Sequence, residues 1–305
     1  MSTEPETGEL VLYADTTAYT RVYVVAELGH NHNGDMDRAR RMVEAAAAAG
    51  ADAVKIQCRT LPDAIPPEQR DRPRAVPWTG ETMTYLEYRR LCEFTDEQIV
   101  ELRGLAESCG VDFFASVFDS QQIERVYHLV DPTFYKVPSA CITDLDLLCR
   151  LGEHARETGA TIIASTGAAT WDQVDAAVSA IGPMQSGQLW LGQCTAVYPC
   201  PASALNLRAI PELARRYPDA VVGFSNHGVS IAPLVAAVGM GARWLEVHFT
   251  LDRTLPGTDQ AASFEPQGVA LLRRYVDTVN EALGDGVKAP TPEEVEVMRK
   301  LRRPA

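Results

Sequence analysis

The chain has 305 residues, 46% hydrophobic and 23% charged, enough material for a large core and long for one domain unless that domain is an α/β barrel. Its formal charge of −13 argues against nucleic acid or an anionic membrane as the main partner, because both would repel it; a locally basic pocket for a small anion stays open. The seven cysteines are scattered, odd in number and free of any CxxC pair, the first ten residues are polar and acidic, and no apolar run is long enough to span a bilayer. A reduced, cytoplasmic chain is therefore expected, rather than a disulfide scaffold, a zinc ribbon or a membrane protein.

Residues 1–21 are expected to form a short cap. Eight apolar, β-branched or aromatic runs then follow: VYVVAEL (22–28), AVKIQ (53–57), DFFAS (112–116), FYKVP (134–138), TIIAS (161–165), LWLGQ (189–193), VVGF (221–224) and RWLEVH (243–248). Between them lie stretches of helical periodicity, such as 36–50, 95–110 and 229–241, several of which end in glycine as helix C-termini often do. Nearly continuous hydrophobic strands alternating with helices imply a parallel sheet covered by helices, and eight units predict a (β/α)8 barrel over 22–288. The alternative, an open doubly wound sheet, lacks its phosphate fingerprint, since AELGHNHNGD is not GxGxxG. The segment 58–94, rich in Pro and Arg, is too long for a simple connection and is a candidate active-site loop, while 289–305 reads as a linker-like tail.

The strand ends carry the chemistry. In such barrels working residues sit at the C-terminal ends of strands. Those ends hold Glu27, then Asn31, His32 and Asn33; Lys55 and Gln57; Ser116; Lys136 and Ser139; Ser165 and Thr166; Gln193, Thr195 and Tyr198; Ser225, Asn226 and His227; and Glu246 with His248. A lysine inside an apolar strand is costly unless its charge is matched. Lys55 and Lys136 could simply form buried ion pairs with Glu27 or Glu246. Together with hydroxyl side chains at the same rim they point to a small phosphorylated anion.

A lone histidine is more often a hydrogen-bonded core group than a ligand. Two at adjacent strand ends, His227 and His248, shift the balance to a shared divalent cation with open positions for water or a substrate oxygen. His32 has the weaker claim and could help cap the next helix; His128 and His154 lie in helical segments. The Pro-Gly turn in LPGTDQAASFEP could carry Asp259 over the barrel mouth, although a solvated loop aspartate fits the spacing equally. Cys141 and Cys194 have no evident partner base and read as inert thiols.

These stretches resemble the sialic acid synthase family, the phosphoenolpyruvate-dependent N-acetylneuraminate synthases. The resemblance runs in order through VVAELGHNHNGDMDRARRMVEAAAAAGADAVKIQ, YKVPSA, ASTGAAT, QCTAVYP, GFSNHGVSIAPLVAAVGMGARWLEVHFTLDRTLPGTDQAASFEP and VKAPTPEEVEVMRKLRR, over roughly residues 20–303. It implies a TIM barrel in which the enol carbon of phosphoenolpyruvate attacks the aldehyde of an open-chain sugar, giving a 2-keto-3-deoxy sugar acid and phosphate. A divalent metal, typically manganese, would be held by His227 and His248. Lys55, Gln57, Ser116, Lys136, Ser139 and Ser225 would fall on phosphoenolpyruvate-binding positions. Glu27, Tyr198 and Asp259 would hold the acceptor or move protons.

The departures from the family pattern are specific. Ser139-Ala140-Cys141 stands where the family has an acidic residue after the serine, Gln193-Cys194-Thr195 replaces HCT, Ala196 replaces an asparagine, and Ser225-Asn226-His227 replaces SDH. The sequence also stops where the family's C-terminal antifreeze-like domain, which supplies an arginine to the sugar, is expected. Arg70, Arg72 and Arg74 of the long second loop could substitute, or could be a solvated basic stretch. The expectation is thus a condensing enzyme whose acceptor aldehyde differs from N-acetylmannosamine. Two alternatives are a metal-dependent aldolase or lyase that no longer uses phosphoenolpyruvate, to which Ala196 and Cys141 point, and a non-catalytic partner protein, against which the retained lysines, histidines and Asp259 argue. The family's dimer leans on the C-terminal domain, so a homodimer stays open beside a monomer.

Overall fold

A computed structural model describes residues 21–303; the expected N-terminal cap falls almost entirely outside them. Eight strands form a closed parallel barrel, which excludes the open sheet. They are β1 (Tyr23–Glu27), β2 (Ala53–Cys58), β3 (Asp112–Val117), β4 (Phe134–Val137), β5 (Thr161–Ser165), β6 (Leu189–Cys194), β7 (Val221–Asn226) and β8 (Trp244–His248). Each expected strand is present within two residues at either end. Closure comes from β1, which pairs with β2 on one side and β8 on the other.

The strand period of two builds the site. Val24, Ala26, Val54, Ile56, Leu245 and Val247 point outward and pack under the helices. Inside the barrel, Val25, Ala53, Phe114, Phe134, Ile163, Trp190, Val221 and Trp244 form a second, separate apolar layer that plugs the floor. Two residues further along the same strands come Glu27, Lys55, Ser116, Lys136, Ser165, Gly192, Gly223 and Glu246. The polar layer is therefore one pleat above the plug and opens only toward the C-terminal ends. The two glycines in this layer have a packing reason. A Cβ on Gly192 would lie 2.5 Å from the Trp244 ring, and one on Gly223 would lie 2.3 Å from it.

Flanking helices form where sequence periodicity places them, including Met36–Ala48, Asp96–Ser108 and Ala232–Gly239. Asp35, rather than His32, caps the first of these by accepting from the Arg38 amide at 3.1 Å. The long second loop is structured. It folds as a short helix Pro67–Arg70, a hairpin of Pro73–Ala75 against Thr82–Thr84, and a helix Tyr85–Cys92 started by a Thr84–Glu87 capping box. Beyond the last barrel helix (Pro266–Leu283), the tail carries a helix, Pro292–Leu301, with no buried residue. No helix among the described residues is long and apolar enough to cross a membrane.

Candidate active site

One cavity of about 460 Å³ opens at the C-terminal mouth of the barrel. All eleven residues singled out for the site line it: Glu27, Lys55, Gln57, Ser116, Lys136, Ser139, Tyr198, Ser225, His227, His248 and Asp259. Strand register explains their meetings. Glu27 lies opposite Lys55, Gln57 and Lys136 both flank Ser116, and Ser225 lies opposite Glu246.

The floor of the cavity is a network of two ammonium and two carboxylate groups. Lys55 pairs with Glu27, donates to Ser116 Oγ at 2.6 Å, and lies 3.8 Å from Glu246. Lys136 donates to Ser165 Oγ at 2.6 Å and lies 3.7 Å from the same Glu246 carboxylate. Both buried ion pairs considered from sequence are thus realised, and they bound an open cavity instead of a sealed core. Burial alone would push the Glu246 carboxyl up, but Lys136 and Lys55 outweigh it and hold the group down to about 2. Burial lowers Lys136, with Glu246 opposing. Removing one partner of either ion pair would strand an uncompensated buried ion.

The histidines sit at one edge of the mouth, their ring centroids 5.3 Å apart. His227 Nδ1 contacts the Thr195 carbonyl at 2.8 Å; with the proton on that nitrogen, Nε2 is the acceptor, and the Tyr198 hydroxyl approaches it at 2.8 Å. His248 Nδ1 is buried without a hydrogen-bond partner, 3.8 Å from Asp259 Oδ2. An orphaned imidazole nitrogen beside a second imidazole with its lone pair directed inward fits a divalent cation, and the Thr195 carbonyl would be the outer group that sets the His227 tautomer. Among the described residues no three His, Cys, Asp or Glu groups converge in ligating geometry. Such an ion would take its remaining ligands from water or substrate.

Asp259 reaches the mouth because two asparagines after β1 hold its loop. Asn31 donates to Ser263 Oγ at 2.7 Å and to the Phe249 carbonyl at 2.8 Å, and its own carbonyl accepts from Gln260 at 3.0 Å. Asn33 donates to the Pro256 carbonyl at 2.9 Å. His32 stacks on Phe94, centroids 4.2 Å apart, with ring nitrogens on Gly29 O and Gly34 N. Asn31, Asn33 and His32 thus shape the mouth without lining it.

Three of the departures from the family pattern face away from the cavity. Cys141 contacts the Phe118 carbonyl, and burial pushes its thiol up to about 12. Gln193 donates to the Leu205 carbonyl at 3.0 Å, and Asn226 closes the turn before Gly228. Ala196 does line the cavity. So does Cys194, whose Sγ lies 3.3 Å from Ser139 Oγ and 3.9 Å from His227 Nδ1.

The long second loop supplies residues that sequence reasoning passed over. Of the three arginines considered from sequence only Arg74 lines the cavity; Arg70 instead donates to the Ile65 carbonyl, and Arg72 is exposed. Arg59, Arg89, Tyr85 and Tyr88 line it as well, and so does His30 from the turn after β1. The only signal for the four loop residues was the excess length of the segment.

The NeuB family model matches residues 42–288. The chain is 36% identical over 279 residues to the human N-acetylneuraminate-9-phosphate synthase, covering 92% of this chain and 76% of that one. It is 33% identical to the N,N'-diacetyllegionaminic acid synthase of Legionella pneumophila, covering 92% and 78%. The crystal structure of an N-acetylneuraminic acid synthetase from Leptospira borgpetersenii, in complex with citrate, superposes with a TM-score of 0.79 at 28% identity and covers 93% of each chain. With a closed barrel, one mouth and this extent of similarity, the chain belongs to the NeuB family.

Proposed function

We propose that this chain is a carbon–carbon bond-forming synthase that condenses phosphoenolpyruvate with a sugar-like aldehyde other than N-acetylmannosamine. The observation that carries the reading is the buried Lys55–Glu27 and Lys136–Glu246 network, set beneath serine hydroxyls and beside two imidazoles in one open cavity. The named activities of the relatives support the same class of reaction.

In this reading Lys55 and Lys136 hold the phosphate and carboxylate of phosphoenolpyruvate, with Ser116, Ser139, Ser225 and the Gln57 amide giving direction. The two lysines also mask Glu27 and Glu246, which would otherwise repel an anion. The enol carbon C3 attacks the aldehyde carbon, forming one carbon–carbon bond, and the aldehyde oxygen takes a proton. Water adds at C2 and loses a proton, and the C2–O bond to phosphate breaks, leaving a 2-keto-3-deoxy acid. Glu27, Asp259 and Tyr198 surround the space where those protons move and where acceptor hydroxyls are held. His227 and His248 would hold a divalent metal, manganese by family resemblance, which as a Lewis acid polarises and orients the aldehyde. The cysteines, unpaired among the described residues, support a reducing, cytoplasmic location.

The test is phosphate release from phosphoenolpyruvate with Mn2+ and a panel of aldoses. Aldehyde-dependent release, with the carbon–carbon product seen by mass spectrometry, is expected. Aldehyde cleavage with phosphoenolpyruvate untouched would instead establish a lyase.

A further inference from the structure

Lys55, Gln57 and Arg59 alternate onto the cavity side of β2 and of the chain just past its end, and all three line the cavity. Lys55 and Gln57 meet substrate in the proposed reaction. Arg59 is buried, 8% exposed, and a guanidinium in that position needs its charge matched. Glu93 matches it: Arg59 Nη1 pairs with Glu93 Oε1 at 2.9 Å, and the Arg59 backbone N–H donates to Glu93 Oε2 at 3.2 Å. The guanidinium also stacks over the Phe118 ring, its carbon 3.7 Å from the centroid. Paired and stacked in this way, Arg59 is held in place without any ligand.

The other arm of the guanidinium reaches the site. Arg59 Nη2 donates to Gln57 Oε1, Gln57 Nε2 donates to Glu27 Oε1 at 2.6 Å, and Glu27 pairs with Lys55. Glu93 stands at the end of the helix Tyr85–Cys92, so an unbroken chain of contacts, Glu93–Arg59–Gln57–Glu27–Lys55, joins the second loop to the cavity floor. An amide has a donor end and an acceptor end, and only one orientation serves an anion. With Oε1 turned to Arg59, the nitrogen faces Glu27 and keeps its second N–H for a ligand oxygen. Reversed, the amide would set its oxygen against the Glu27 carboxylate and against an incoming anion. A single contact with Glu27 would let the amide swing about that bond; a second contact at its other end removes the freedom. Lysine would present a single nitrogen, whereas the planar fork reaches Glu93 and Gln57 at once and offers a flat face to Phe118.

Resting on the proposed condensation, in which Gln57 contacts phosphoenolpyruvate, we infer that Arg59 is a positioning residue for that substrate: it fixes the Gln57 amide between its own guanidinium and Glu27, with Glu93 as its anchor on the second loop. Arg59 acts through Gln57 and takes no anion itself, because Glu93 already matches its charge. This role differs from that of a structural ion pair. A structural Arg59–Glu93 pair would serve folding whatever residue stood at 57, whereas a positioning residue matters to binding only while Gln57 is there to be positioned.

The test is a double-mutant cycle read by calorimetric titration of phosphoenolpyruvate into the Mn2+-loaded protein, which needs neither an acceptor nor turnover. Arg59→Lys keeps a cation for Glu93 and loses the fork, and should bind phosphoenolpyruvate about 10–100-fold more weakly than wild type, the scale of a misplaced polar contact. Gln57→Met should weaken binding by itself, and adding Arg59→Lys to it should change the affinity by no more than about twofold. Mn2+ affinity should stay at the wild-type value in all three variants. Arg59→Lys that binds phosphoenolpyruvate like wild type, or that loses the same factor with and without Gln57, overturns the inference. Where Arg59→Lys fails to fold, Glu93→Gln takes its place: loosening the anchor should weaken phosphoenolpyruvate by about 2–5-fold, and only in the presence of Gln57. No loss, or an equal loss in both backgrounds, overturns the inference there too. A wild-type protein that binds no phosphoenolpyruvate would remove the proposed reaction and the inference with it, whereas a wild type that binds it, with additive variants, removes the role of Arg59 alone.

Discussion

Glu27 and Lys55 lie directly opposite each other on adjacent strands, and their side chains meet as an ion pair almost wholly removed from water. Breaking such a pair from one side leaves an uncompensated charge, which costs about 3–5 kcal/mol. Lys55→Met should lose phosphoenolpyruvate binding and lower unfolding free energy by that order. The double variant Lys55→Met/Glu27→Gln should recover much of the stability and none of the binding. Urea unfolding beside calorimetric titration reads both; a single variant as stable as wild type would show that the pair is not charged.

The orphaned His248 nitrogen gives a metal prediction. Chelation should abolish turnover and added Mn2+ restore it, with His227→Ala and His248→Ala each weakening Mn2+ binding. Changes to outer-shell groups typically cost about 10–100-fold in affinity, so loss of a ligand should reach at least that range. Electron paramagnetic resonance titration of free Mn2+ measures it directly, and unchanged Mn2+ affinity in both variants would remove the histidines from the role.

His32 sets a pH dependence of stability. Burial lowers its pKa from 6.5 to about 4, against a weaker raising effect from the Gly29 carbonyl. The folded state therefore binds fewer protons than the unfolded state between those values. The contribution of this group is fully present above about pH 6.5 and is lost as pH falls toward 4, by at most about 3.5 kcal/mol at roughly 1.4 kcal/mol per pH unit. Burial also lowers the His30 pKa, so the difference between wild type and His32→Gln isolates the effect of His32. Urea midpoints across pH 7 to 4 should fall less steeply in the variant; parallel curves would place the His32 pKa near its ordinary value.

Asn31 touches no space in the cavity, yet it holds the loop that carries Asp259. Asn31→Ala removes two buried hydrogen bonds and should cost about 1–3 kcal/mol. Because the proposed reaction sets Asp259 beside the acceptor, KM for the aldehyde should rise more than KM for phosphoenolpyruvate. Steady-state kinetics with each substrate varied in turn distinguishes this from a uniform loss of active protein, which would lower kcat alone.

Gly223 is present because Trp244 fills the space above it. Gly223→Ala places a methyl within 2.3 Å of the indole and should cost about 1–3 kcal/mol or more. Adding Trp244→Leu should relieve the clash, so that the double variant melts above Gly223→Ala alone in calorimetry. An unshifted Tm in the single variant would mean that the floor layer repacks freely.

The strand count, their parallel arrangement and the polar residues at their C-terminal ends were all legible along the chain. Each is a local property: apolar runs alternate with helical periodicity, and a lysine such as Lys55 or Lys136 stands out inside its own strand. The family resemblance added roles for those same positions. What the sequence could not decide is where side chains turn once the ring closes. Gln193, Asn226 and Cys141 stand beside strand ends like their neighbours, yet their hydrogen bonds go to backbone away from the cavity. Asn31 and His32 proved to be supports for the mouth. The cavity-lining set of Arg59, Arg74 and Arg89 was hidden in a long loop because its members meet only after a hairpin and a helix fold that loop onto the cavity. Strand pattern depends on residues two apart, whereas the pairing of Glu27 with His248 across β1 and β8, and the return of a loop onto a cavity, depend on packing between residues far apart in the chain. Local patterning thus determined the barrel and its layer of charged groups, and closure and loop packing decided which of them share one space.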